Sequence, residues 1–486
     1  MTADYIAYHA AERPDAIAVV NDGRPVTFAE FSRDIRKAAH ALREFGLPPG
    51  GSVAVGCDDF YLHWLLLLGL EQLGIASATL QTREGPSALP LLASMDLVLG
   101  EHAYPDDAAK RHRLITPDWV RGIFAHEDGG EAAAPSKAPE DTVRILRTSG
   151  TTGASKRLRF SRRQLDIRAS AHIWGMEFTR RSRCLMSLPF TLNSSYLFAV
   201  ACIRAGGTVI SEKRMGAVEA ISAHAISHVM LLPIHLRALL DALPETFEKP
   251  SELLVLSLGA PLSDALREKA MTRLAGRVCD LYGTQEVGNI AWTLSSGRRG
   301  IATLWPDVQV RVVDEAGAPL PPGRPGRLGV RTPHMSERYL DDPDATARMY
   351  ADGWFYPGDV VILREGRRLE IVGRGDDLLN VGGTKIPPGE LEELILKRID
   401  AKDAGVCSIR NRDGIEEIWI AVADCPTADR ELVQRLEQAQ GRLQLGTFHV
   451  TRLPRVPRNA SGKIQRDLLR AAMTDAAGRA PESRGS

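Results

Sequence analysis

Short runs of branched apolar residues alternate along this chain with longer segments of helical periodicity. The clearest runs lie at 17–20, 52–56, 145–147, 208–211 and 253–259. Continuous apolar runs, unlike runs that alternate with polar residues, are typical of strands buried on both faces of a sheet. Together with the helical segments between them, they predict an α/β fold whose parallel-rich sheets are covered by helices.

The pattern changes near residue 366, which indicates a second and smaller domain. A strand at GRRLEIVG is followed by a turn rich in glycine and acidic residues, and then by an amphipathic helix. The elements predicted there are a helix at 388–398, strands near 404–409 and 416–423, a helix near 427–440 and a strand near 446–452. We therefore expect a large domain over 1–375, a small α+β domain over 376–472 and a disordered tail over 473–486.

The composition limits the classes of partner. The 61 basic and 61 acidic residues leave no net charge, so no overall field favours nucleic acid or a membrane surface. The most apolar segment, WLLLLGL at 64–70, is too short to span a bilayer, and we predict no stable membrane insertion. The six cysteines form no CxxC pair, which indicates buried reduced thiols in a cytoplasmic protein.

Two histidines in HAISH, His224 and His228, have the i,i+4 spacing of neighbours on a helix face. Zinc sites use that spacing, but this pair lacks the glutamate of HExxH and a third ligand. We interpret both as surface or core histidines.

The segment LRTSGTTGASKRL at 146–158 concentrates hydroxyls, glycines and a lysine. Such a loop surrounds a positive charge with hydroxyl and backbone donors, which is the chemistry of phosphate binding. Ser155 and Arg157 flank the lysine where a Walker loop requires glycine before it and serine or threonine after it, so the missing magnesium-binding hydroxyl disfavours a P-loop nucleoside triphosphatase. A flexible polar loop remains the alternative for this segment alone.

Four further segments follow in order: LYGTQEVG at 281–288, DGWFYPGDV at 352–360, GRGDDLLNVGGTKI at 373–386 and RNASGKIQR at 458–466. With TSGTTGASK before them, they resemble the motif series of the adenylate-forming superfamily, which includes acyl- and aryl-CoA synthetases, nonribosomal adenylation domains and luciferases. The resemblance extends over nearly the whole chain. It implies a large N-terminal domain of several subdomains and a small mobile C-terminal domain.

The resemblance implies that the chain converts a small carboxylic acid to an acyl-adenylate, with ATP and Mg²⁺, and releases pyrophosphate. The enzyme must then position two anions and neutralise the charge on the phosphates. Lys463 is expected to reach the reacting bond from the small domain, with Lys156 and Gln285 as further catalytic groups and Glu286 as the magnesium ligand. The nucleotide-binding residues implied are Thr148, Ser149, Gly150, Thr151, Thr152, Gly153, Gly259, Ala260, Pro261, Tyr282, Gly283, Asp359 and Arg374.

The acid pocket is expected around Phe190, Asn193 and Gly283. Asn193 stands where members that activate amino acids commonly carry an aspartate for the substrate ammonium. A neutral amide cannot supply that charge, so the resemblance favours an aryl acid with an ortho hydroxyl or amino group. As an alternative, Asn193 caps the helix that begins here.

In this superfamily the small domain rotates and a thiol then attacks the adenylate. By resemblance Asp376 is the hinge, Gly382 and Gly383 form the thiol face, and Lys385 contacts phosphate or is solvated. The acceptor is CoA or a phosphopantetheinyl carrier protein, which the arginines at 157, 159, 162 and 163 could receive if they are not simply solvated. A stand-alone adenylation enzyme that does not use CoA, and a non-catalytic nucleotide or acyl sensor, are the competing functions.

Overall fold

This computed structural model describes residues 1–48, 50–81, 88–103, 111–126, 138–148, 156–293, 301–375, 379–381, 384–386, 388–410, 416–440, 448–459, 462–477 and 484–485. The helices among them are α1 (Thr2–Glu12), α2 (Phe28–Arg43), α3 (Phe60–Leu73), α4 (Leu89–Ser94), α5 (Pro117–Ala125), α6 (Arg162–Gly175), α7 (Asn193–Arg204), α8 (Ala217–Ala223), α9 (Pro233–Asp241), α10 (Asp264–Arg273), α11 (Pro343–Met349), α12 (Pro388–Arg398), α13 (Asp429–Gln440) and α14 (Arg466–Ala477).

The strands are β1 (Ile17–Asn21), β2 (Arg24–Thr27), β3 (Ser52–Gly56), β4 (Ala76–Thr79), β5 (Leu97–Gly100), β6 (His112–Leu114), β7 (Thr142–Arg147), β8 (Arg157–Ser161), β9 (Arg183–Leu185), β10 (Thr208–Ser211), β11 (His228–Leu231), β12 (Leu254–Leu258), β13 (Arg277–Thr284), β14 (Gly288–Thr293), β15 (Ile301–Leu304), β16 (Gln309–Val313), β17 (Pro325–Arg331), β18 (Tyr350–Ala351), β19 (Trp354–Phe355), β20 (Asp359–Arg364), β21 (Arg368–Arg374), β22 (Leu379–Val381), β23 (Thr384–Ile386), β24 (Asp403–Arg410), β25 (Glu416–Ala423), β26 (Phe448–Arg452) and β27 (Arg484–Gly485).

The largest sheet joins a parallel half to an antiparallel half. Strands β1, β10, β9, β11, β12 and β13 pair in parallel in that order. At β13 the chain turns back into β14, and the sheet continues with antiparallel pairs through β15, β21, β20 and β17. All residues of β10 and β11 are buried, as expected of strands covered on both faces of a sheet. The α/β prediction and the strands expected from these runs are confirmed.

A second sheet has the order β6, β5, β3, β4, β7 and β8. Its strands are parallel except for β8, which pairs antiparallel with β7 and returns the chain at the end of the predicted phosphate loop. Helix α3, which contains WLLLLGL, buries nearly all of its residues against this layer and α2, as expected of a helix that is apolar all round. No helix among the described residues combines the length and the apolarity needed to cross a membrane.

The small domain has its own apolar clusters. Strands β24, β25, β26 and β27 form its sheet, and α12 and α13 cover one cluster while α14 covers another. The expected tail over 473–486 begins too early, because α14 continues to Ala477 and the Met473 side chain is fully buried. The predicted domain boundary at 375/376 lies between Leu369, in the core of the large domain, and Leu379, in that of the small one.

The two histidines of HAISH do not share a helix. His224 follows the last residue of α8 and His228 begins β11, so the helical spacing inferred from sequence is wrong. His224 Nε2 lies 2.9 Å from Glu212 Oε1, and His228 Nε2 lies 2.8 Å from the carbonyl oxygen of Met176. Both are structural histidines, as the sequence interpretation held.

Buried histidines make stability depend on pH. Burial lowers the pKa of His63, His172 and His228 to about 4. The unfolded chain therefore binds protons below about pH 6.5 that the folded chain does not bind until about pH 4, so the free energy of unfolding falls over that range.

We expect His228→Gln to reduce the loss in the free energy of unfolding between pH 7 and pH 4.5 by about 2 kcal/mol, measured by urea unfolding. The exposed His102→Gln is the control, and equal losses in both variants would contradict the expectation.

Candidate active site

The carboxyl ends of β12 and β13 bring two predicted nucleotide segments side by side. These strands pair in parallel with Leu258 opposite Leu281, so the residues after Leu258 lie next to Tyr282. Gly259 has φ +86°, a left-handed conformation that favours glycine and that ends the strand in a turn. The segment Gly259, Ala260 and Pro261 thus lies at the sheet edge where ligands of open parallel sheets commonly bind.

Tyr282, Asp359 and Arg374 meet although they are up to 92 residues apart in sequence. Tyr282 Oη donates to Asp359 Oδ2 over 2.5 Å. Asp359 begins β20 opposite Arg374 at the end of β21, and Arg374 Nε lies 3.7 Å from Asp359 Oδ1. Burial, together with the Asp359 carboxylate, raises the pKa of Tyr282 and keeps it a neutral donor. The group offers a carboxylate acceptor and a guanidinium donor beside an aromatic ring.

The two ends of the predicted phosphate loop are fixed to each other. Thr148 follows β7 and Lys156 precedes β8, and these strands pair antiparallel. The Thr148 amide donates to the Lys156 carbonyl over 2.8 Å, and the Lys156 amide donates to Thr148 Oγ1 over 3.3 Å. The predicted phosphate ligands between them, Ser149, Gly150, Thr151, Thr152 and Gly153, lie outside the described residues.

Tyr339 connects the end of this loop with the predicted magnesium ligand. Its hydroxyl donates to Glu286 Oε1 over 2.7 Å, and its ring centroid lies 4.8 Å from Lys156 Nζ. Burial and the adjacent Glu286 carboxylate raise the pKa of Tyr339 far above its usual value, so the hydroxyl stays protonated. Lys156 and Glu286, 130 positions apart, are therefore neighbours of one aromatic side chain.

Arg168, on α6, holds the turn that carries Gln285 and Glu286. Its Nη1 and Nη2 each donate over 3.0 Å to the carbonyls of Gln285 and Glu286, and its Nε donates over 3.2 Å to that of His334. The guanidinium is buried and stacks over Phe160 at 4.0 Å. Burial lowers the pKa of Arg168 to about 9, so the side chain remains charged at neutral pH.

The sequence determines the position of Arg168 through the start of its helix. Ser161 and Gln164 form a capping box, in which each side chain accepts a hydrogen bond from the other residue's amide. Gln164 Nε2 also donates to the Met335 carbonyl over 2.6 Å. Gln164 and Arg168 are four residues apart and therefore contact one segment from one face of α6.

Gly283 allows β13 and β14 to approach each other closely. A Cβ atom at this position would lie 2.4 Å from the carbonyl oxygen of Gly288, which only a glycine avoids. The register of the hairpin also shifts between Tyr282 and Gly283. The residue is therefore needed for the backbone shape beside Tyr282, whatever it contributes to nucleotide or acid.

The predicted acid-pocket residues lie at the start of α7. Phe190 is buried, and its ring contacts those of Phe60, His63, Trp64 and Tyr196. Asn193 is the first residue of α7 and is 3% exposed, whereas the N-cap position of this helix is occupied by Leu192. The alternative that it caps the helix is thus wrong. Its buried Oδ1 has no hydrogen-bond partner among the described residues.

Lys463 lies in a tight loop of the small domain. The Lys463 amide donates to Asn459 Oδ1 over 3.0 Å, and its carbonyl accepts from the Asn459 amide over 2.9 Å. A Cβ atom on the adjacent Gly462 would lie 3.6 Å from Ile234 Cγ2, in the first turn of α9. Because α9 follows β11, the loop meets the large domain at the same carboxyl edge that carries the Gly259 and Tyr282 segments.

Several predictions fall elsewhere. The expected hinge Asp376 and the expected thiol face at Gly382 and Gly383 lie outside the described residues, and Lys385 is in β23. Of the four arginines proposed to receive an acidic partner, Arg157, Arg162 and Arg163 form ion pairs within the chain. Exposed ion pairs are weak, so the expectation that this run receives an acidic partner stays a prediction.

A family model described as AMP-binding enzyme matches residues 6–340, more than half of the chain. The chain belongs to the AMP-binding enzyme family. The predicted membership of the adenylate-forming superfamily is confirmed.

Known members resemble this AMP-binding enzyme over nearly its full length. The fatty acid–[acyl-carrier-protein] ligase ScoC of Streptomyces coeruleorubidus is 26% identical, over 96% of this chain and 95% of that protein. The 3-hydroxybenzoate–CoA ligase of Aromatoleum sp. (strain CIB) is 27% identical, over 96% and 94%. ATP-bound MatB from Rhodopseudomonas palustris aligns with a TM-score of 0.86 at 22% identity, over 98% of this chain and 99% of that chain, which confirms the fold.

Two residues of this AMP-binding enzyme's candidate site were not found from sequence. Arg168 lies in an arginine-rich stretch where nothing distinguishes it from solvated neighbours, and Tyr339 lies in SERYLDDP, outside the motifs. The one available signal was the capping box at Ser161, which predicts the helix start and hence which side chains lie on one face. Arg157, which stands where a Walker loop has serine or threonine, pairs with Asp341 and so holds this segment to β8.

Replacing Arg168 tests the importance of its three hydrogen bonds. Arg168→Met leaves the carbonyls of Gln285, Glu286 and His334 buried without their donor, and we expect a loss of about 2 to 4 kcal/mol in the free energy of unfolding. Arg163, on the same helix, pairs with Glu140 at the exposed surface, so Arg163→Met is expected to change stability by less than about 0.5 kcal/mol. Urea unfolding measures both, and equal effects would show that the buried hydrogen bonds contribute nothing special.

Proposed function

We propose that this AMP-binding enzyme activates a carboxylic acid with ATP and then transfers the acyl group to the thiol of CoA or of a carrier protein. The observation that carries the proposal is the position of Tyr339 between Glu286 and Lys156. It supports a site in which a cation-binding carboxylate and a phosphate-binding lysine act on the same polyphosphate.

The donor set of Glu286 fits magnesium. Oε1 accepts from Tyr339, and Oε2 forms no hydrogen bond with a described residue, so a hard oxygen ligand remains available. When bound, the ion would neutralise charge on the β- and γ-phosphates of ATP. Lys156 and the hydroxyls and amides from Thr148 to Gly153 would hold the same phosphates, and the hydrogen bonds between Thr148 and Lys156 keep these two residues together.

The nucleoside would bind at the edge of the large sheet. Asp359 would accept hydrogen bonds from the ribose hydroxyls and Arg374 would donate to the sugar, in keeping with their observed proximity. The Tyr282 ring would stack on adenine, beside Gly259, Ala260 and Pro261. The hydrogen bond from Tyr282 to Asp359 would link the two halves of this subsite.

In the first step, a carboxylate oxygen of the acid attacks the α-phosphorus of ATP, and the bond from that phosphorus to the pyrophosphate oxygen breaks. The acid is already ionised at neutral pH, so no general base is needed. Lys463 would neutralise repulsion between the carboxylate and the α-phosphate, while the Gln285 amide would donate to the α-phosphate. The contact of the Lys463 loop with α9 supports an approach from this edge.

In the second step, a thiolate sulfur attacks the acyl carbon, the bond from that carbon to the AMP oxygen breaks, and AMP leaves. We assign the hinge to Asp376 and the thiol face to Gly382 and Gly383 on the strength of the motif resemblance. Both acceptors have support among the relatives, since ScoC is named as an acyl-carrier-protein ligase and the Aromatoleum protein as a CoA ligase.

An aryl acid with an ortho hydroxyl or amino group is the substrate class we favour. Asn193 Oδ1 is a buried acceptor without a partner among the described residues, and a donor on the substrate would satisfy it. The absence of charge on Asn193 disfavours an α-ammonium group. The name of the 3-hydroxybenzoate–CoA ligase supports an aryl acid in this family.

Acid-dependent pyrophosphate release with MgATP tests the activation step. The panel comprises benzoates with and without ortho hydroxyl or amino groups, cinnamates, fatty acids and amino acids. We expect release with one acid class and a loss of at least about 100-fold in Lys463→Ala, as for a group that stabilises transition-state charge. Lys402→Ala is the control, because the Lys402 side chain pairs with Asp424 at the surface of the same domain. ATP binding without pyrophosphate release for any acid would instead favour the non-catalytic sensor. AMP release measured with CoA and with a carrier protein would then show which thiol is the acceptor.

Asn193→Leu tests the assigned substrate class. We expect kcat/KM for an ortho-amino or ortho-hydroxy benzoate to fall about 10- to 100-fold, because one hydrogen bond to a buried acceptor is lost, while unsubstituted benzoate is little affected. Ser194→Ala, at the next position of α7, is the control. An equal loss for substituted and unsubstituted acids would assign Asn193 a structural role.

A further inference from the structure

Three potential metal ligands meet where the end of α2 packs against the end of α5, in a region that the proposed reaction does not use. His40 lies in the last turn of α2, Glu44 directly follows this helix, and His126 directly follows α5. One ligand atom from each residue, two imidazole nitrogens and a carboxylate oxygen, lies within 4.8 Å of the others. His40 and Glu44 are exposed and His126 is half-buried, so an ion could reach them from solvent.

The backbone around the cluster is held from both helices. Lys37 Nζ donates to the carbonyl of Phe124 over 2.8 Å, and the rings of Phe45 and Trp119 lie 5.8 Å apart. The His126 amide donates to the carbonyl of Gly122 over 3.2 Å, which fixes the residue at the end of α5. His40 and Glu44 are four positions apart and so project from one face of α2. The three side chains thus converge on a framework that does not need to fold around an ion.

The side chains of His40, Glu44 and His126 are not engaged in polar interactions with other described residues. Among the described residues, none of the three side chains makes a hydrogen bond or an ion pair, and the ring centroids of His40 and His126 lie 4.6 Å apart. An ordinary histidine–carboxylate pair would bring nitrogen and oxygen within hydrogen-bond distance, as His224 and Glu212 do at 2.9 Å. Here the three ligand atoms lie within 4.8 Å of one another without forming such a pair.

The donor set selects the class of ion. Two imidazoles and one carboxylate suit zinc and similar transition ions, whereas magnesium and calcium prefer oxygen ligands. Zinc–nitrogen and zinc–oxygen bonds of about 2.0 to 2.2 Å place ligand atoms about 3.3 Å apart in a tetrahedral shell. Closing the cluster from 4.8 Å requires only rotamer adjustments of side chains at the surface. Three protein ligands leave the fourth position to water.

We propose that His40, Glu44 and His126 form a binding site for a divalent transition-metal ion, with zinc as the preferred ion. The bound ion links the end of α2 to the end of α5. Because the ion binds the folded chain, it stabilises that state by mass action. The site is separate from the magnesium site proposed at Glu286, whose donor is an oxygen, and it does not depend on the proposed reaction.

Calorimetric titration of the metal-stripped full chain with zinc chloride, in the presence of magnesium, tests the site. We expect one zinc ion per chain in the wild type. Removing a residue that only orients a metal ligand typically lowers metal affinity about tenfold or more. Removing a ligand itself should lower it at least as much, so His40→Ala and His126→Ala should each weaken zinc binding at least about tenfold. Glu44→Gln should weaken it in the same direction, and the exposed His102→Ala should leave it unchanged.

Two further measurements test metal binding without an activity assay, and a third verifies the fold of each variant. Cobalt should give the intense visible absorption of a four-coordinate ion in the wild type and not in His40→Ala, and zinc should raise the thermal midpoint of the wild type and the His102→Ala control alone. Circular dichroism verifies that each variant is folded. A wild type that binds no zinc, or zinc binding that survives substitution of both His40 and His126, overturns the proposal.

Discussion

The arginine at position 168 is the buried charge on which the candidate site depends. A guanidinium in the core is tolerated only when its donors are satisfied, and Arg168 meets this condition with three backbone carbonyls from two segments. Two of these carbonyls belong to Gln285 and Glu286, and the third to His334, just before the segment that carries Tyr339. The same side chain therefore sets the separation of the turn after β13 from that segment.

Tyr339 lies between two oppositely charged side chains of the candidate site, Glu286 and Lys156. Its hydroxyl holds one oxygen of Glu286, and its ring faces Lys156, so a carboxylate and an ammonium group lie near one another without forming an ion pair. A direct pair would neutralise both charges before any ligand arrived. With the aromatic ring between them, Lys156 can attract phosphate and Glu286 can bind a cation, as the proposed function requires.

The small domain adds a different kind of constraint. Its apolar clusters are separate from those of the large domain, and a hydrogen bond from Arg237 Nη1 to the Lys402 carbonyl and the approach of Gly462 to Ile234 connect the two. Separate apolar cores are compatible with movement of one domain over the other. The proposed delivery and withdrawal of Lys463 depends on such movement.

The sequence by itself predicted the α/β class, the strands that form apolar runs, the main elements of the small domain, and the motif residues at positions 282, 359, 374 and 463, because apolar periodicity and local motifs are properties of neighbouring residues. Only the tertiary structure decided that Arg168 and Tyr339 belong to the site, that Asn193 does not cap its helix, and that His40, Glu44 and His126 converge. Each of these depends on contacts between segments far apart in the chain, or on which buried atoms lack a hydrogen-bond partner. A local stretch of sequence determines neither of them.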